Sequence, residues 1–247
     1  MNDWYKKSFG KTYLELYSHR GKEEAQRDIE RLVQWLSISK EELLLDLCCG
    51  AGRHLLALHK VGFRHLIGLD LSKELLQSAA EELSKAGAHH IKLFCVDMRN
   101  IPFQNYFGVI LSLFTSFGYF EHDNENQRVI RKVGKALRPN GIFVLDYLNR
   151  DYGLENLVTE DVKIRKGLYI KNSRRLSNDK KRIIKETFIV SENGERQTFY
   201  ESVRLYSAKE LETILRICGF KNIRHYGSLH GEKYSPKSKR LVIVCEK

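Results

Sequence analysis

The hydrophobic residues of this chain follow two alternating patterns. Short, mostly apolar runs occupy residues 43–45, 66–70, 91–97, 108–114 and 142–146. The segments between these runs carry apolar residues at helical spacing. An uninterrupted apolar run suits a strand that is buried on both faces, as in a parallel sheet. Strands that alternate with helices therefore predict an α/β fold with a doubly wound, mostly parallel sheet.

A different pattern begins after residue 150. Three segments rich in β-type residues follow, at 162–172, 182–190 and 196–205. The pair Asn193-Gly194 stands between the last two segments, and Asn-Gly between β-type runs is a strong hairpin signal. We therefore predict that residues 151–205 form an antiparallel β insertion that lies outside the parallel core.

The end of the chain returns to the first pattern. A helical stretch at 207–218 is followed by two runs typical of closing strands, at 221–227 and 240–245. With these runs the predicted sheet has seven strands. The expected organisation is one main domain, formed by residues 1–150 and 206–247, that carries the insertion. Near the start, Tyr5, Phe9, Tyr13 and Tyr17 are spaced by four residues, which predicts one helical face packed on the core.

Composition narrows the class of protein. A chain of 247 residues with 42% hydrophobic residues and only 3 prolines is typical of a folded globule. No apolar run approaches the roughly 20 residues that span a bilayer, and the first residues lack the apolar core of a secretion signal. The five cysteines form no CxxC pair, and Cys48 and Cys49 are adjacent. We therefore expect a cytoplasmic protein with no disulfide framework, no metal site and no membrane partner.

The net charge of +11 is concentrated in the predicted insertion. Residues 163–185 contain ten lysines and arginines against the single acid Asp179. Such a segment is suited to an acidic small-molecule ligand or to a nucleic-acid backbone. It is equally typical of a solvated edge that prevents sheet-to-sheet aggregation. The sequence leaves these three interpretations open.

The candidate chemistry lies at the ends of the first three strands. The first strand runs into Asp46 and then into the turn Gly50-Ala51-Gly52, after which a helix begins. A glycine turn of this kind brings the backbone close to a ligand and directs helix N–H groups at it. Asp70 and Asp97 end the second and third strands. Because such folds bind ligands at the carboxyl edge of the sheet, three acids at this edge predict a nucleotide-type site.

Dinucleotide binding is the obvious competitor. Its fingerprint needs a third glycine three residues after the second, for close packing of the helix on the strand. Leu55 occupies that position. Asp70 would suit the ribose of either ligand, and Arg53 at the helix start would suit a pyrophosphate as well. The missing glycine and the additional acid, Asp97, count against NAD.

At these residues the chain resembles the class I S-adenosylmethionine-dependent methyltransferases, in particular the small-molecule group of types 11 and 25. The resemblance covers about four fifths of the chain and leaves the insertion outside. Insertions of this kind cover the acceptor pocket in the family, so the resemblance implies that residues 151–205 are a lid over the acceptor site. It rests on residues 44–53, 68–72, 95–98, 107–114 and 137–142. One position departs from the family pattern, because Cys48 stands where the first of three alternating glycines is usual. A thiol is acceptable there if the backbone angles of Cys48 are ordinary.

The resemblance implies a role for each matching residue. Gly50 and Gly52 would pass under the cofactor, Asp70 would accept its ribose hydroxyls, and Asp97 would accept the adenine amine. Leu71 and Met98 would enclose the adenine, and the carbonyl of Leu113 would meet the ammonium group. A Tyr and an Arg of an N-terminal helix would close over the methionine end. The implied cofactor-binding residues are Tyr13, Arg20, Asp46, Cys48, Gly50, Gly52, Arg53, Asp70, Leu71, Asp97, Met98 and Leu113.

The methyl acceptor is less constrained. Base methyltransferases resemble one another in an Asn/Asp-Pro-Pro-aromatic motif after the fourth strand, and this chain lacks it there. The hydroxyls of Ser116 and Tyr119 instead suit the mouth of a substrate pocket, to which we add Tyr17 and Tyr147. His122 is the nearest candidate base, although a histidine in a surface loop has the same appearance.

The resemblance favours one function, an enzyme activity, and leaves two alternatives. The favoured function is methyl transfer from S-adenosylmethionine to N or O of a small molecule, by in-line displacement. The first alternative is RNA methylation, with the basic insertion as the docking surface. The second alternative is a cofactor-binding protein without turnover.

Overall fold

The computed structural model describes residues 3–10, 21–165 and 167–247. Within them the main sheet has seven strands, in the spatial order β10-β11-β5-β4-β1-β2-β3. The strands are β1 (Leu44–Leu47), β2 (Leu66–Asp70), β3 (Lys92–Cys95), β4 (Phe107–Ser112), β5 (Leu137–Leu148), β10 (Lys221–Tyr226) and β11 (Arg240–Glu246). The first five pair in parallel, whereas β11 is antiparallel to both β5 and β10. The predicted seven-stranded, mostly parallel sheet is confirmed.

Side-chain alternation along the central strands divides the core between the two faces of the sheet. Leu45 and Leu47 of β1 belong to the cluster on one face, and Leu44 belongs to the cluster on the other. All residues of β1 and β4 are buried, as the uninterrupted apolar runs predict. The seventh apolar-rich strand, β11, is likewise buried from Leu241 to Cys245. The residues at the ends of these strands are therefore attached to a fully buried part of the sheet.

Helices cover both faces of the sheet. They are α1 (Trp4–Ser8), α2 (Lys22–Leu36), α3 (Arg53–Lys60), α4 (Lys73–Lys85), α5 (Asp123–Ala136), α6 (Arg150–Glu155) and α7 (Ala208–Ile217). The prediction of one continuous aromatic helical face is wrong at Phe9, because α1 ends at Ser8. Tyr13 and Tyr17 lie outside the described residues. None of the helices that the structure describes is long and apolar enough to cross a membrane.

A second, four-stranded antiparallel sheet follows β5 and α6 in the chain. It consists of β6 (Glu160–Arg165), β7 (Leu168–Leu176), β8 (Arg182–Val190) and β9 (Arg196–Arg204), paired in chain order. The segment 162–172, which the sequence predicts as one run, contains a tight turn between β6 and β7. Gly167 has a φ of +74° there, which a residue without a side chain adopts at little cost. The predicted hairpin at Asn193-Gly194 is present, and Gly194 has a φ of +83°.

Candidate functional site

A cavity of about 620 Å³ opens at the carboxyl ends of β1, β2 and β4. Its walls are the glycine turn, the residues that follow β2, β3 and β4, and part of α1 with Phe9. Eleven of the residues predicted for the site line this cavity: Cys48, Gly50, Gly52, Arg53, Asp70, Leu71, Asp97, Met98, Leu113, Ser116 and Tyr119. The fold thus gathers residues from four separate strand ends into one space.

Asp70 holds the glycine turn from the end of the neighbouring strand. Its Oδ2 accepts a hydrogen bond of 2.8 Å from the amide of Gly50, and its Oδ1 accepts one of 2.9 Å from the amide of Ser72. Burial raises the pKa of Asp70, although these backbone amides oppose that rise. Gly52, with a φ of +76°, packs so closely on α4 that a Cβ atom would lie 3.0 Å from the Cβ of Ala79. A side chain at Gly52 would therefore force Ala79 to move, whereas Gly50 is favoured only by its left-handed φ of +53°.

Asp46 lies beneath the turn and does not line the cavity. The residue is only 1% exposed, and its Oδ2 has no hydrogen-bond partner among the described residues. Burial is the main reason that the pKa of Asp46 rises to about 7, and the negative charge of Asp70 adds to the rise while Arg53 opposes it. The carboxyl group therefore changes its protonation state near neutral pH.

Cys48 adopts a backbone conformation that favours glycine. Its φ is +63°, in the left-handed region, so the expectation of ordinary backbone angles at this position is wrong. The position retains the conformational requirement of the family glycine although the side chain is a thiol. Burial raises the pKa of the Cys48 and Cys49 thiols well above the ordinary value, so both are neutral and poorly nucleophilic.

Asp97 is oriented by Arg99, a residue that the sequence analysis missed. The Arg99 guanidinium binds both carboxylate oxygens, with Nε 3.0 Å from Oδ1 and Nη2 2.6 Å from Oδ2. Although burial alone would raise it, these hydrogen bonds hold the pKa of Asp97 below its usual value. Arg99 also binds Glu125 and the Tyr5 hydroxyl. The sequence signal that could have revealed this contact is the position of Arg99, a cation two residues after the acid that follows β3.

The turn after β4 contributes the far wall of the cavity. The carbonyl oxygen of Leu113 accepts a 2.9 Å hydrogen bond from Ser116 Oγ. Phe114 and Thr115 have φ values of +62° and +61°, so two consecutive residues with side chains are left-handed. The Arg53 guanidinium lies over the Phe114 ring, 4.5 Å from its centroid.

Aromatic rings form one wall of the cavity, and the sequence had assigned part of this set only to the core. Tyr5 and Phe9, from α1 and its end, line the cavity together with Tyr119 and Phe120. The Phe9 and Tyr119 ring centroids lie 5.6 Å apart, and Tyr5 meets Phe120 edge to face at 5.3 Å. The result is a wall of apolar surface beside the hydroxyls of Ser116 and Tyr119.

Tyr147 does not belong to this pocket, and its prediction as a pocket residue is corrected by the structure. The residue is fully buried and absent from the cavity lining. Its hydroxyl donates to the backbone carbonyl of Arg204, and its ring packs on Phe117 and Tyr206. Alternation along β5 turns this side chain into the core on the face of the sheet that carries α5 and α7.

The remaining predicted residues are not brought to the cavity by the described structure. His122 is exposed at the N-terminal cap of α5 and does not line the cavity. Tyr13, Tyr17 and Arg20 lie outside the described residues, so their predicted roles stay predictions. No group of histidine, cysteine and acidic side chains among the described residues is arranged to hold a metal ion.

His54 is a lining residue that the sequence analysis did not single out. It follows Arg53 in the first turn of α3 and faces the cavity. Burial, with a contribution from the charge of Arg53, lowers the pKa of His54 to about 3. The imidazole is therefore neutral over the physiological range and is a weak base.

The strand order, the reversed last strand and the acids around a glycine turn define the class I methyltransferase fold. Residues 44–141 match the family model described as a methyltransferase domain. These residues contain β1 to β4 and the first part of β5, and so most of the cavity. Residues 44–141 therefore carry a methyltransferase domain of the type 25 group, and the fold around them is that of the class I S-adenosylmethionine-dependent methyltransferases.

Relatives of known sequence and structure agree with this assignment. The chain is 27% identical over 248 residues to the putative methyltransferase YqeM of Bacillus subtilis, covering 97% of this chain and 96% of the relative. It is 31% identical over 144 residues to the dTDP-3-amino-3,4,6-trideoxy-α-D-glucopyranose N,N-dimethyltransferase of Streptomyces venezuelae, covering 58% of each. A crystal structure of an S-adenosylmethionine-dependent methyltransferase from Clostridium acetobutylicum superposes with a TM-score of 0.81 at 17% identity, covering 95% of this chain and 97% of that one.

Proposed function

We propose that the protein transfers the methyl group of S-adenosylmethionine to a nitrogen or oxygen of a small molecule. The observation that carries this proposal is the single cavity, in which the glycine turn and Asp70 share one space with Ser116, Tyr119 and the aromatic wall. Donor-binding residues at one end and a semi-apolar pocket at the other are what methyl transfer between two bound molecules requires.

The residues present fit S-adenosylmethionine. The turn at Gly50 and Gly52 offers bare backbone, and Asp70 faces the cavity with lone pairs left for ribose hydroxyls. The unpartnered Oδ2 of Asp46 lies under the same turn, where a cationic ligand would favour its ionised form. Leu71 and Met98 supply apolar surface for the adenine. When bound, the cofactor supplies a methyl group that is already activated by the sulfonium charge.

The protein residues then have to align the acceptor and exclude water. The aromatic wall serves the second purpose, because it removes water from one side of the cavity. A general base is needed only if the acceptor is still protonated as it attacks. His54 lines the cavity, but with a pKa of about 3 it is poorly suited to that task. We therefore propose alignment, rather than proton removal, as the main contribution of the protein.

We propose that residues 151–205 act as a lid on the acceptor side of a main domain formed by 1–150 and 206–247. The support is a set of hydrogen bonds between the second sheet and the loop that lines the cavity. Arg182 of β8 donates to the carbonyl oxygens of Gly118, Tyr119 and Phe120 at 2.9–3.2 Å. Ser8 Oγ, next to the aromatic residues of α1, donates to the carbonyl of Tyr200 in β9 at 2.7 Å.

The basic segment gives less support to RNA binding than its sequence indicates. Among the residues that the structure describes, five cations of this segment have partners outside residues 163–185. The ion pairs are Lys163–Asp161, Lys171–Glu160, Arg174–Asp161 and Lys185–Glu201. The fifth cation, Arg182, is bound to backbone carbonyls instead. Because these partners offset part of the positive charge, the segment is less suited to a nucleic-acid backbone, and a small acceptor is favoured. The name of the 31% identical relative, which methylates an amino sugar linked to dTDP, supports the same choice.

Two measurements test the proposal. Calorimetry with S-adenosylmethionine and S-adenosylhomocysteine should show binding of both to the purified protein, and no binding would end it. Transfer of a radiolabelled methyl group into a fractionated cell extract should then label the small-molecule fraction. Label in the RNA fraction, with RNA binding that weakens steeply with salt, would support RNA methylation instead. Cofactor binding without label in any fraction would favour a protein without turnover.

A further inference from the structure

The turn that follows β4 has an unusual backbone. Phe114 and Thr115 both have positive φ, at +62° and +61°. Residues with a Cβ atom rarely adopt this region, and a β-branched residue such as threonine does so least readily. Two such residues in succession persist only where the surroundings impose the conformation, and such sites cluster around ligands.

Asp146, at the end of β5, imposes this conformation from outside the cavity. Its Oδ2 accepts a 2.7 Å hydrogen bond from the amide of Phe114, and its backbone carbonyl accepts one of 2.9 Å from the amide of Thr115. The residue is only 3% exposed. Both amides of the left-handed turn are therefore bound to one residue.

Arg240, at the start of β11, completes the arrangement. Its Nε donates to Oδ1 of Asp146 at 2.7 Å, and its Nη2 donates to Oγ1 of Thr115 at 2.9 Å. The guanidinium thus joins the carboxylate that holds the turn to a side chain of the turn itself. A planar group with donors in fixed directions is suited to this double contact, whereas a lysine ammonium is not.

Neither Asp146 nor Arg240 lines the cavity, whereas Leu113, Phe114 and Ser116 do. The two residues therefore make no direct contact with the cavity, and their contacts reach it through the turn. Arg240 belongs to the last strand, far along the chain from Thr115, so the contact exists only because β11 pairs with β5.

We propose that Asp146 and Arg240 are positioning residues of the methyl-transfer site. They hold the Phe114–Thr115 turn in its left-handed form, which fixes the Leu113 carbonyl and the Phe114 ring at the wall of the cavity. The part of this inference that concerns the cofactor rests on the proposed function. If the turn relaxes to ordinary φ values, the carbonyl and the ring leave the positions that face the ligand.

The test compares the wild type with Arg240→Gln and with the control Arg224→Gln. Arg224 is an exposed arginine on the adjacent strand β10 that pairs with Glu246. For Arg240→Gln we expect affinity for S-adenosylhomocysteine to fall roughly tenfold, as for loss of one charge-assisted contact. Amide exchange measured by mass spectrometry should rise in the peptide that contains residues 113–116. The control should change neither quantity.

Two further variants keep the inference open to contradiction. Arg240→Lys retains the positive charge beside Asp146 but not the double contact, so it should fold normally and still lose affinity. Thr115→Gly removes the conformational cost at that residue, so Arg240→Gln should weaken binding less in that background. Wild-type affinity and wild-type exchange in folded Arg240→Gln or Arg240→Lys would overturn the inference. Absence of S-adenosylhomocysteine binding by the wild type would instead overturn the proposed function, and amide exchange alone would then decide whether Arg240 holds the turn.

Discussion

The backbone amide of Gly50 donates a 2.8 Å hydrogen bond to Oδ2 of Asp70. The acid that ends β2 thereby holds the loop that follows β1, and it does so at the wall of the cavity. The carboxylate shapes the turn, and under the proposed function its remaining lone pairs would accept the ribose hydroxyls of the cofactor. This double use makes Asp70 the first residue to change.

Asp70→Asn should weaken S-adenosylhomocysteine binding roughly a hundredfold, because two charge-assisted contacts to the ribose hydroxyls lose their ionised acceptor. Isothermal titration calorimetry measures this change. The matched control is Asp151→Asn, which neutralises a half-exposed carboxylate paired only with Arg150 in α6. Equal affinities of the two variants would contradict the assigned role of Asp70.

Cys48→Gly should stabilise the protein by roughly 0.5 to 1 kcal/mol. The left-handed conformation at φ +63° costs a residue with a Cβ atom more than glycine loses in the unfolded chain. Urea unfolding followed by circular dichroism measures the difference. Cys48→Ala keeps the Cβ atom and should show no such gain, so a gain in both variants would assign the effect to the thiol instead.

Cofactor binding should become tighter with rising pH. The pKa of Asp46 is about 7 in the unliganded protein, and a bound cation would lower it. Binding then releases a proton below neutrality, and the affinity for S-adenosylmethionine should rise about tenfold between pH 6 and pH 8. Calorimetry in buffers of different ionisation enthalpy counts the released protons. Asp46→Asn should abolish both the release and the pH dependence.

The Asp46 carboxyl group should make the folded protein less stable as the pH rises, whereas it makes cofactor binding tighter. The folded-state pKa of Asp46 lies above its ordinary value of 3.8, so the unfolded chain gives up this proton first. Its contribution to the free energy of unfolding therefore falls as the pH rises from about 4 to about 7, and is level above that range. The unfolding free energy of the wild type minus that of Asp46→Asn should therefore fall between about pH 4 and pH 7. A difference that does not depend on pH would contradict this role of Asp46.

Arg182→Met should loosen the second sheet from the cavity loop. The substitution leaves the carbonyls of Gly118, Tyr119 and Phe120 without this donor, at a cost of about 2 to 3 kcal/mol in unfolding free energy. If residues 151–205 are a lid on the acceptor, the variant should also raise the KM for the acceptor more than the Kd for S-adenosylhomocysteine. Arg175→Met, an exposed change on β7, is the control for both measurements.

Much of the architecture could be predicted because its signals are local. The uninterrupted apolar runs at β1 and β4 indicate burial on both faces, and the structure confirms the parallel sheet that they predict. The glycine turn and the acids at strand ends mark the carboxyl edge, which is why so many predicted residues line one cavity.

Other features depend on which face or partner a side chain meets. In β5 the segment from Phe143 to Tyr147 is buried at every position, and nothing local shows that Tyr147 turns into the core while Asp146 supports the turn after β4. The backbone angle of Cys48 is set by the loop between β1 and α3, so its residue type alone was misleading. The bidentate contact of Arg99 with Asp97 depends on the conformation of the turn after β3.

The sequence by itself thus determined the class of fold and most of the residues that line the cavity at the carboxyl edge of the sheet. Its hydrophobic periodicity and its glycine turn act over a few residues, where local physics suffices. Only the tertiary structure decided how those residues are held. The contacts between Asp146, Arg240 and the Phe114–Thr115 turn join three strands that are distant along the chain, and pairing of β11 with β5 and of β5 with β4 brings them together.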